Sequence, residues 1–273
     1  MDSKYIHESD IACENTSVSR SEKMESNFCE SGILITKTTF DPQSPNGLLP
    51  RDAYYGIHCG PIREFDEEKA LSVSLLCASK LTQMIKSVRS EKKSFSVLAV
   101  GIGNRYAMPD ALGPLCSDKI IVTFESEVYM PKVYSISPGV LAQTGIQTSD
   151  YVHAVANEIS ADVIIAIDSL YSKDPTRLGA FIQIGNCGIS PGAGAGKRGE
   201  GISFSSMGIP VISIGIPMVI STRDLICSAI DKAIETEFTE GLSHVLVTPK
   251  ECNAVTEIGA TIIARAINAC LFA

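Results

Sequence analysis

The sequence predicts an α/β protein with a doubly wound, mostly parallel sheet and helices on both faces. Apolar strands alternate with segments whose apolar residues have helical spacing, which is the pattern of βαβ units. The runs at 96–100 and 163–167 are almost wholly apolar, as expected for strands covered on both faces. No internal repeat is visible. We therefore predict one α/β domain over residues 32–273.

Residues 1–31 differ in composition from the rest of the chain. They are rich in Ser, Glu, Asn and Lys and show no hydrophobic periodicity. Such segments bury too little apolar surface to fold by themselves. We predict a flexible N-terminal leader that need not belong to the core.

The elements of the predicted domain follow from hydrophobic spacing and turn residues. Strands alternate apolar and polar residues or are apolar throughout, and they end near Gly, Pro or Asn. Helices begin near acidic or hydroxyl residues and repeat apolar residues every three or four positions. The predicted strands are 33–40, 54–59, 96–100, 133–136, 163–167, 181–184 and 211–214. The predicted helices are 66–90, one from about 110, one from 148 or 149, 222–237 and 249–271.

Composition and charge argue against several classes of protein. The chain of 273 residues is 45% hydrophobic, has a net charge of −8 and carries no block of Lys and Arg. This charge argues against direct binding of nucleic acid or of an anionic membrane. The nine cysteines include no C-x-x-C pair, so they indicate a reducing compartment rather than a zinc site or a disulfide framework. Without a signal peptide or a run of membrane length, a cytoplasmic protein is expected.

Asp110 and Asp168 are the candidate catalytic residues. Asp110 comes after the strand at 96–100 and a glycine turn, in the first turn of a predicted helix, and Asp168 directly follows the strand at 163–167. The carboxyl ends of neighbouring strands meet at one edge of an open α/β sheet. Two carboxyls that share this edge cannot both ionise easily, so one can act as a general base and the other as a general acid. A helix cap at Asp110 and a loop residue at Asp168 explain the pattern equally well.

Two glycine-rich stretches resemble cofactor motifs but lack their spacing. Gly101-Ile102-Gly103 follows a strand, yet Tyr106 stands where a dinucleotide fingerprint requires its third glycine. The stretch at 191–198 resembles a P-loop, but a proline and an arginine replace residues that a P-loop needs. We therefore predict no cofactor. Lys197 and Arg198 are available either to an acidic ligand or to solvent.

Other chemistries are weaker alternatives. Asp110, Asp168 and His153 are residue types that bind several divalent ions, although a solvent-facing helix position explains His153 as well. Ser137 and Ser169 have no histidine at a spacing typical of a serine triad. No cysteine stands in a nucleophile signature.

Six segments, which include the stretches discussed above, resemble the germination protease family of spore-forming bacteria. They occur in family order between residues 101 and 251: GIGNRYAMPDALGP, SISPGVLAQTGIQTSD, DVIIAIDSL, IQIGNCGISPGAGAGKRG, MGIPVISIGIP and VTPKE. The leader sequence SDIACE at residues 9–14 resembles the site at which the family's zymogen is processed. It is also similar to the sequence cut in the family's substrates, an acidic residue followed by an apolar residue and Ala.

The resemblance implies an endopeptidase that begins the degradation of small acid-soluble spore proteins during germination, within the cytoplasm of the spore core. It implies an atypical aspartic peptidase on a fold related to hydrogenase maturation peptidases, made as a tetrameric, self-processing zymogen. The catalytic pair falls on Asp110 and Asp168, and processing falls near Asp10 and Ile11. DNA is met only through the spore proteins that coat it. The expected substrate cleft is lined by Gly103, Asn104, Ser137, Gly139, Lys197 and Arg198.

The chain departs from the family pattern at several positions. Met108, Ser190 and Ser221 stand where Thr, His and Asp are usual, and the region between residues 119 and 132 is trimmed. If these positions shape the cleft, specificity differs from that of other members. Two other functions stay open: a metal-dependent peptidase on the same fold, and a non-catalytic module that binds acid-soluble proteins or a nucleotide.

Overall fold

A computed structural model describes residues 9–14, 23–40, 53–88, 95–123, 131–190, 201–229, 242 and 244–272. Its strands are β1 Lys23–Glu30, β2 Ile33–Phe40, β3 Ala53–His58, β4 Ser96–Gly101, β5 Lys132–Ile136, β6 Val163–Tyr171, β7 Ile182–Gly185, β8 Val211–Ser221 and β9 Leu246–Val247. Its α-helices are α1 Glu67–Val88, α2 Leu112–Ser117, α3 Leu141–Thr144, α4 Thr148–Glu158, α5 Phe204–Met207, α6 Thr222–Ala229 and α7 Cys252–Phe272.

The predicted elements are present, with two strands longer than expected. β6 continues to Tyr171 and β8 to Ser221, because the two strands pair with each other along almost their whole length. The predicted helix 222–237 is described only as far as Ala229. The remainder of that prediction lies outside the described residues.

The sheet is mixed, so the prediction of a mostly parallel sheet is wrong. Its strand order is β1-β2-β3-β7-β8-β6-β4-β5, and β9 pairs with the end of β8. The strands β5, β4, β6 and β8 run parallel. The strands β7, β3, β2 and β1 are antiparallel to their neighbours. The chain leaves β6 through a 3-10 turn at Pro175–Arg177 and joins β1 to β2 by a tight turn. Neither connection contains the helical crossover that parallel neighbours need.

Helices cover both faces of the sheet, as predicted. Val97 and Ala99 of β4 face a core shared with α1, α2 and α7, whereas Leu98 and Val100 face a second core shared with α4 and α5. This alternation is what a strand buried on both faces requires. The two-sided burial makes the central strands rigid supports for the residues at their ends.

The C-terminal helix α7 is the one described helix that is long and apolar enough to cross a membrane by length and composition. The sequence prediction that no segment reaches this length is therefore wrong for α7. Half of its most apolar window is buried in the protein, where it packs against α1 and α2. The core helix of a globular protein passes the same test, so the observation is weak support for a membrane span.

The described parts of the predicted leader contact the rest of the protein. Lys23–Glu30 forms β1 and pairs with β2 over its whole length. Lys80 of α1 is buried and donates a hydrogen bond of 2.5 Å to the Glu30 carboxylate. Ile11 is completely buried against Leu170 and Phe181. Composition alone misses the contacts of Ile11 and Glu30 because their partners lie far away in the sequence.

Candidate active site

The glycine turn after β4 lies directly beneath α2. The Ile102 amide donates to the carbonyl of Ile167 at 2.8 Å, and a Cβ on Gly113 would lie 2.3 Å from the Ile102 carbonyl oxygen. Gly103 has a φ of +122°, and a Cβ there would lie 2.0 Å from the carbonyl oxygen of Asp110. The glycine turn therefore leaves room for a close neighbour, and that neighbour is the Asp110 segment of the same chain.

Asp110 ends the 3-10 turn Met108–Asp110, which leads into α2 and holds a proline in its first positions, as the sequence predicts. Its Oδ2 accepts a hydrogen bond of 2.7 Å from the Asn104 amide. Burial raises the pKa of Asp110, and the Asn104 hydrogen bond opposes that rise. The side chain is only partly buried, so water reaches it.

Asp168 lies within β6 rather than after it, opposite Gly215 of β8. On its other side β4 ends at Gly101, which pairs with Ile167. Asp168 is therefore the first residue of β6 beyond the end of β4, at the edge where the sequence predicts it. It is buried, and its Oδ1 accepts a hydrogen bond of 2.7 Å from the Ser169 amide. Burial raises the pKa of Asp168 well above its usual value, and the charges of Asp110 and Asp10 raise it further.

The leader brings a third carboxyl to the same edge. The Asp10 amide donates to the Tyr171 carbonyl at 3.1 Å, and the Tyr171 amide donates to Asp10 Oδ2 at 2.8 Å. Burial raises the pKa of Asp10 to about 7, the Tyr171 hydrogen bond opposes this rise, and the charge of Glu14 adds to it. The residues predicted for processing, Asp10 and Ile11, are thus docked at the end of β6, where the charge of Asp10 is close enough to raise the pKa of Asp168.

The residues predicted for the substrate cleft are only partly brought together. Asn104 Oδ1 accepts a hydrogen bond of 2.7 Å from Gln143 Nε2 of α3. A Cβ on Gly139 would lie 3.1 Å from Gln143 Oε1, so Gln143 links two of the predicted segments. Ser137 is exposed between β5 and α3. Lys197 and Arg198 lie outside the described residues.

His153 does not join the carboxyl pair as a metal ligand. It lies exposed on α4, where its ring is within hydrogen-bonding distance of Asn157. Among the described residues, no group of three or more His, Cys, Asp and Glu is arranged to hold a metal ion.

One departure from the family pattern, Ser221, has a visible role. Ser221 Oγ accepts a hydrogen bond of 3.0 Å from the Asp224 amide and so caps α6. Serine and aspartate are both good N-caps, so the exchange preserves the helix start. Met108 is partly exposed, and it is its backbone carbonyl that accepts a hydrogen bond of 3.1 Å from Thr256 of α7, so nothing in the structure explains the exchange of its side chain. Ser190 is exposed, and nothing in the structure explains its exchange.

Sequence reasoning missed three residues at this edge: Tyr171, Arg177 and Gln183. Tyr171 is completely buried, donates a hydrogen bond to Asp224 and accepts one of 3.1 Å from the Ser221 amide. Arg177 and Gln183 contact the docked leader. The one signal in the sequence was Gln183, a polar residue between two isoleucines in a short apolar strand.

A groove lies elsewhere, between the sheet and α1. It has a volume of about 650 Å³ and is lined by residues that include Lys37, Tyr55, Gln83 and Asn186. None of the residues that the sequence predicts for the site lines it. Size alone is therefore a poor guide here, and the carboxyl pair is the better candidate.

Fold and site together define an α/β protein that holds residues 9–14 of its own chain, a bend followed by a 3-10 turn, near two carboxyls at one edge of the sheet. Peptide held by main-chain hydrogen bonds next to acid–base groups is the arrangement expected of a peptidase.

The chain belongs to the germination protease family. The family model described as "Germination protease" matches residues 6–241. The chain is 34% identical over 190 residues to the germination protease of Clostridium tetani, covering 67% of this chain and 58% of that protein. It is 31% identical over 258 residues to that of Clostridium acetobutylicum, covering 81% and 79%. For the Bacillus cereus protein, the identity is 32% over 224 residues, covering 78% and 61%. The resemblance seen in the sequence is confirmed.

Proposed function

We propose that the protein is an endopeptidase that begins the degradation of small acid-soluble spore proteins during germination. The observation that carries the proposal is that Asp110 and Asp168 lie at the same edge of the sheet, where β4 ends, close enough for the charge of Asp110 to raise the pKa of Asp168. Family membership supports the setting, because the relatives are named germination proteases. The spore-core cytoplasm and a tetrameric assembly belong to the same proposal.

The two carboxyls have different surroundings, which supports different roles. Asp168 is the more buried and lies near the charges of Asp110 and Asp10, which raises its pKa and favours its protonated form. Asp110 is partly exposed, and the Asn104 amide stabilises its ionised form. Asp110 draws a proton from the attacking water while Asp168 donates its proton to the oxygen of the scissile carbonyl. The proton on Asp110 then passes to the departing amine as the C–N bond breaks, and a hydroxyl of the tetrahedral intermediate returns a proton to Asp168 as the C=O bond re-forms.

The docked leader supports self-processing near Asp10 and Ile11. These residues already lie beside Asp168, held by the backbone of Tyr171. While the leader stays there, no other peptide can occupy the end of β6. The same contacts therefore present the leader for cleavage and exclude substrate from the uncleaved chain.

The test is the pair of substitutions Asp110→Asn and Asp168→Asn. Removal of an acid–base group lowers the rate by about 10²- to 10⁴-fold, and neither variant should process its leader. Asp118→Asn is the matched control, because Asp118 is exposed and pairs with Arg105 at 2.6 Å. Processing and cleavage of an acid-soluble spore protein are followed by mass spectrometry. Full activity of both variants would refute the proposal, and loss of wild-type activity on chelation would favour the metal-dependent alternative.

A further inference from the structure

Three kinds of contact hold the segment at residues 9–14. They depend on the peptide backbone, on the shape of an apolar side chain and on a negative charge. Gln183 Nε2 donates to the Asp10 carbonyl at 2.8 Å, and Gln183 Oε1 accepts from the Ala12 amide at 2.8 Å. One buried side-chain amide thus spans the backbone on both sides of Ile11. We call this pair of contacts the Gln183 clamp. Because it contacts main-chain atoms only, it accepts any peptide that has a backbone N–H at the position of Ala12.

Ile11, the residue between the two contacts of Gln183, is recognised by its shape. Ile11 is completely buried against Leu170 and Phe181, with Ile189 and Cys13 at the margin. A charged or small side chain here would lose the apolar burial that isoleucine gains. The contact favours a large apolar residue directly after Asp10.

The third property is negative charge. Glu14 Oε1 accepts from Ser172 Oγ at 2.6 Å and from Arg177 Nη1 at 2.7 Å, and Glu14 Oε2 accepts from the Lys173 amide at 2.6 Å. The Ser9 hydroxyl donates to the same oxygen from within the segment. A hydroxyl, a backbone amide and a guanidinium thus surround one carboxylate, a donor set that suits an anion.

This carboxylate site is shaped by residues outside the leader. Asp174 caps the 3-10 turn Pro175–Arg177 through the Thr176 amide, and its Oδ2 lies 3.5 Å from Arg177 Nε. The Arg177 guanidinium lies 5.2 Å from the centre of the Phe181 ring. The guanidinium is therefore held in place whichever carboxylate it binds.

We propose that the Gln183 clamp and the carboxylate site of Ser172, Lys173 and Arg177 are substrate subsites, and that Glu14 occupies the second of them as an internal competitor. Substrates then carry an acidic side chain three residues after the apolar residue that Gln183 brackets. This inference rests on the proposed peptidase function. Arg177 and Gln183 set specificity and binding, and the acid–base chemistry belongs to the aspartates.

The first test measures docking without catalysis. The probe is the hydrogen-exchange protection factor of the Ala12 amide in full-length chains that carry Asp168→Asn. Arg177→Gln should lower protection about tenfold or more, and Glu14→Gln at least as much. The double variant should exchange no faster than Glu14→Gln alone, because both changes remove one interaction. Arg63→Gln is the control, an exposed arginine that pairs with Glu64. Additive losses of protection in the double variant would show that Arg177 does not hold the leader through Glu14.

The second test measures selectivity in cleavage. The substrates are a synthetic peptide of residues 7–16 and the same peptide with glutamine in place of Glu14. On the wild-type chain with its leader processed, the change should lower kcat/KM about 10- to 100-fold, and on the equally processed Arg177→Gln variant less than threefold. Gln183→Met should raise KM for both peptides equally, because that clamp contacts only backbone. Equal discrimination by the wild type and Arg177→Gln would overturn the subsite.

The two tests separate this inference from the proposed function. If the wild-type chain cleaves neither peptide but the exchange data show coupled loss, the catalytic proposal fails and the carboxylate site stands. If both peptides are cleaved equally well, catalysis stands and the subsite fails.

Discussion

A Cβ atom on Gly103 would lie 2.0 Å from the carbonyl oxygen of Asp110. Gly103 therefore helps to position the Asp110 carboxyl, because the Asp110 backbone occupies the space that a side chain on residue 103 would fill. The Asn104 amide that bonds to Asp110 belongs to the next residue of the same turn.

Gly103→Ala should lower activity by more than its loss of stability explains. The added methyl group meets a backbone atom, and the φ of +122° disfavours any side chain, so Asp110 must move. Gly60→Ala is the matched control. It has a φ of +80° but nothing within 4 Å of the added Cβ, so it carries only the backbone cost of about 1 kcal/mol. Thermal unfolding and peptide cleavage are measured for both variants, and equal activity in the two would contradict the role given to Gly103.

Docking of the leader should weaken as the pH rises from about 4 to about 7. Docking raises the pKa of Asp10 from 3.8 to about 7, so the docked segment keeps a proton that the free segment loses. The favourable contribution is complete below the free pKa and is lost as the pH passes through the docked value. Within that window, docking loses up to about 1.4 kcal/mol per pH unit. The protection factor of the Ala12 amide in the uncleaved chain reports it, and Asp10→Asn should flatten the profile. A flat profile in the parent chain would contradict the prediction.

Asp10→Asn should also lower the pKa of Asp168. The charge of Asp10 is one of the causes that raise the Asp168 pKa, and asparagine removes it while keeping the size of the side chain. Carbon NMR of the labelled Asp168 carboxyl in the uncleaved chain measures the change. Burial and Asp110 remain, so the pKa stays above its ordinary value of about 3.9. An unchanged titration would show that Asp10 does not face Asp168.

Tyr171→Phe should destabilise the protein by about 1–3 kcal/mol, because it leaves the Asp224 carboxylate and the Ser221 amide without the hydroxyl that bonds to both. Tyr106→Phe is the control. Tyr106 is 87% exposed, so removal of its hydroxyl should change the stability little. Chemical unfolding of the two variants makes the comparison. Equal stability would contradict the buried role of the Tyr171 hydroxyl.

The elements and the carboxyl pair were predictable because their signals are local. Hydrophobic spacing within ten or twenty residues shows a strand or a helix, and the chain order of apolar strands placed Asp110 and Asp168 at one edge. The direction of the strands beyond β8 was not predictable from such patterns. Whether the segment after β6 returns parallel or antiparallel depends on the 3-10 turn at Pro175–Arg177, which carries no hydrophobic period.

The leader shows most clearly where local reasoning ends. Its composition predicts a segment outside the core, yet Ile11 is buried and Glu14 is bound by three residues more than 150 positions away. The sequence by itself determined the α/β class, the family and the two aspartates, because each rests on short runs of residues. Only the tertiary structure decided that Asp10 joins that pair and that Gln183 and Arg177 hold the peptide. These contacts exist only when distant parts of the chain meet, since burial and charge act through space.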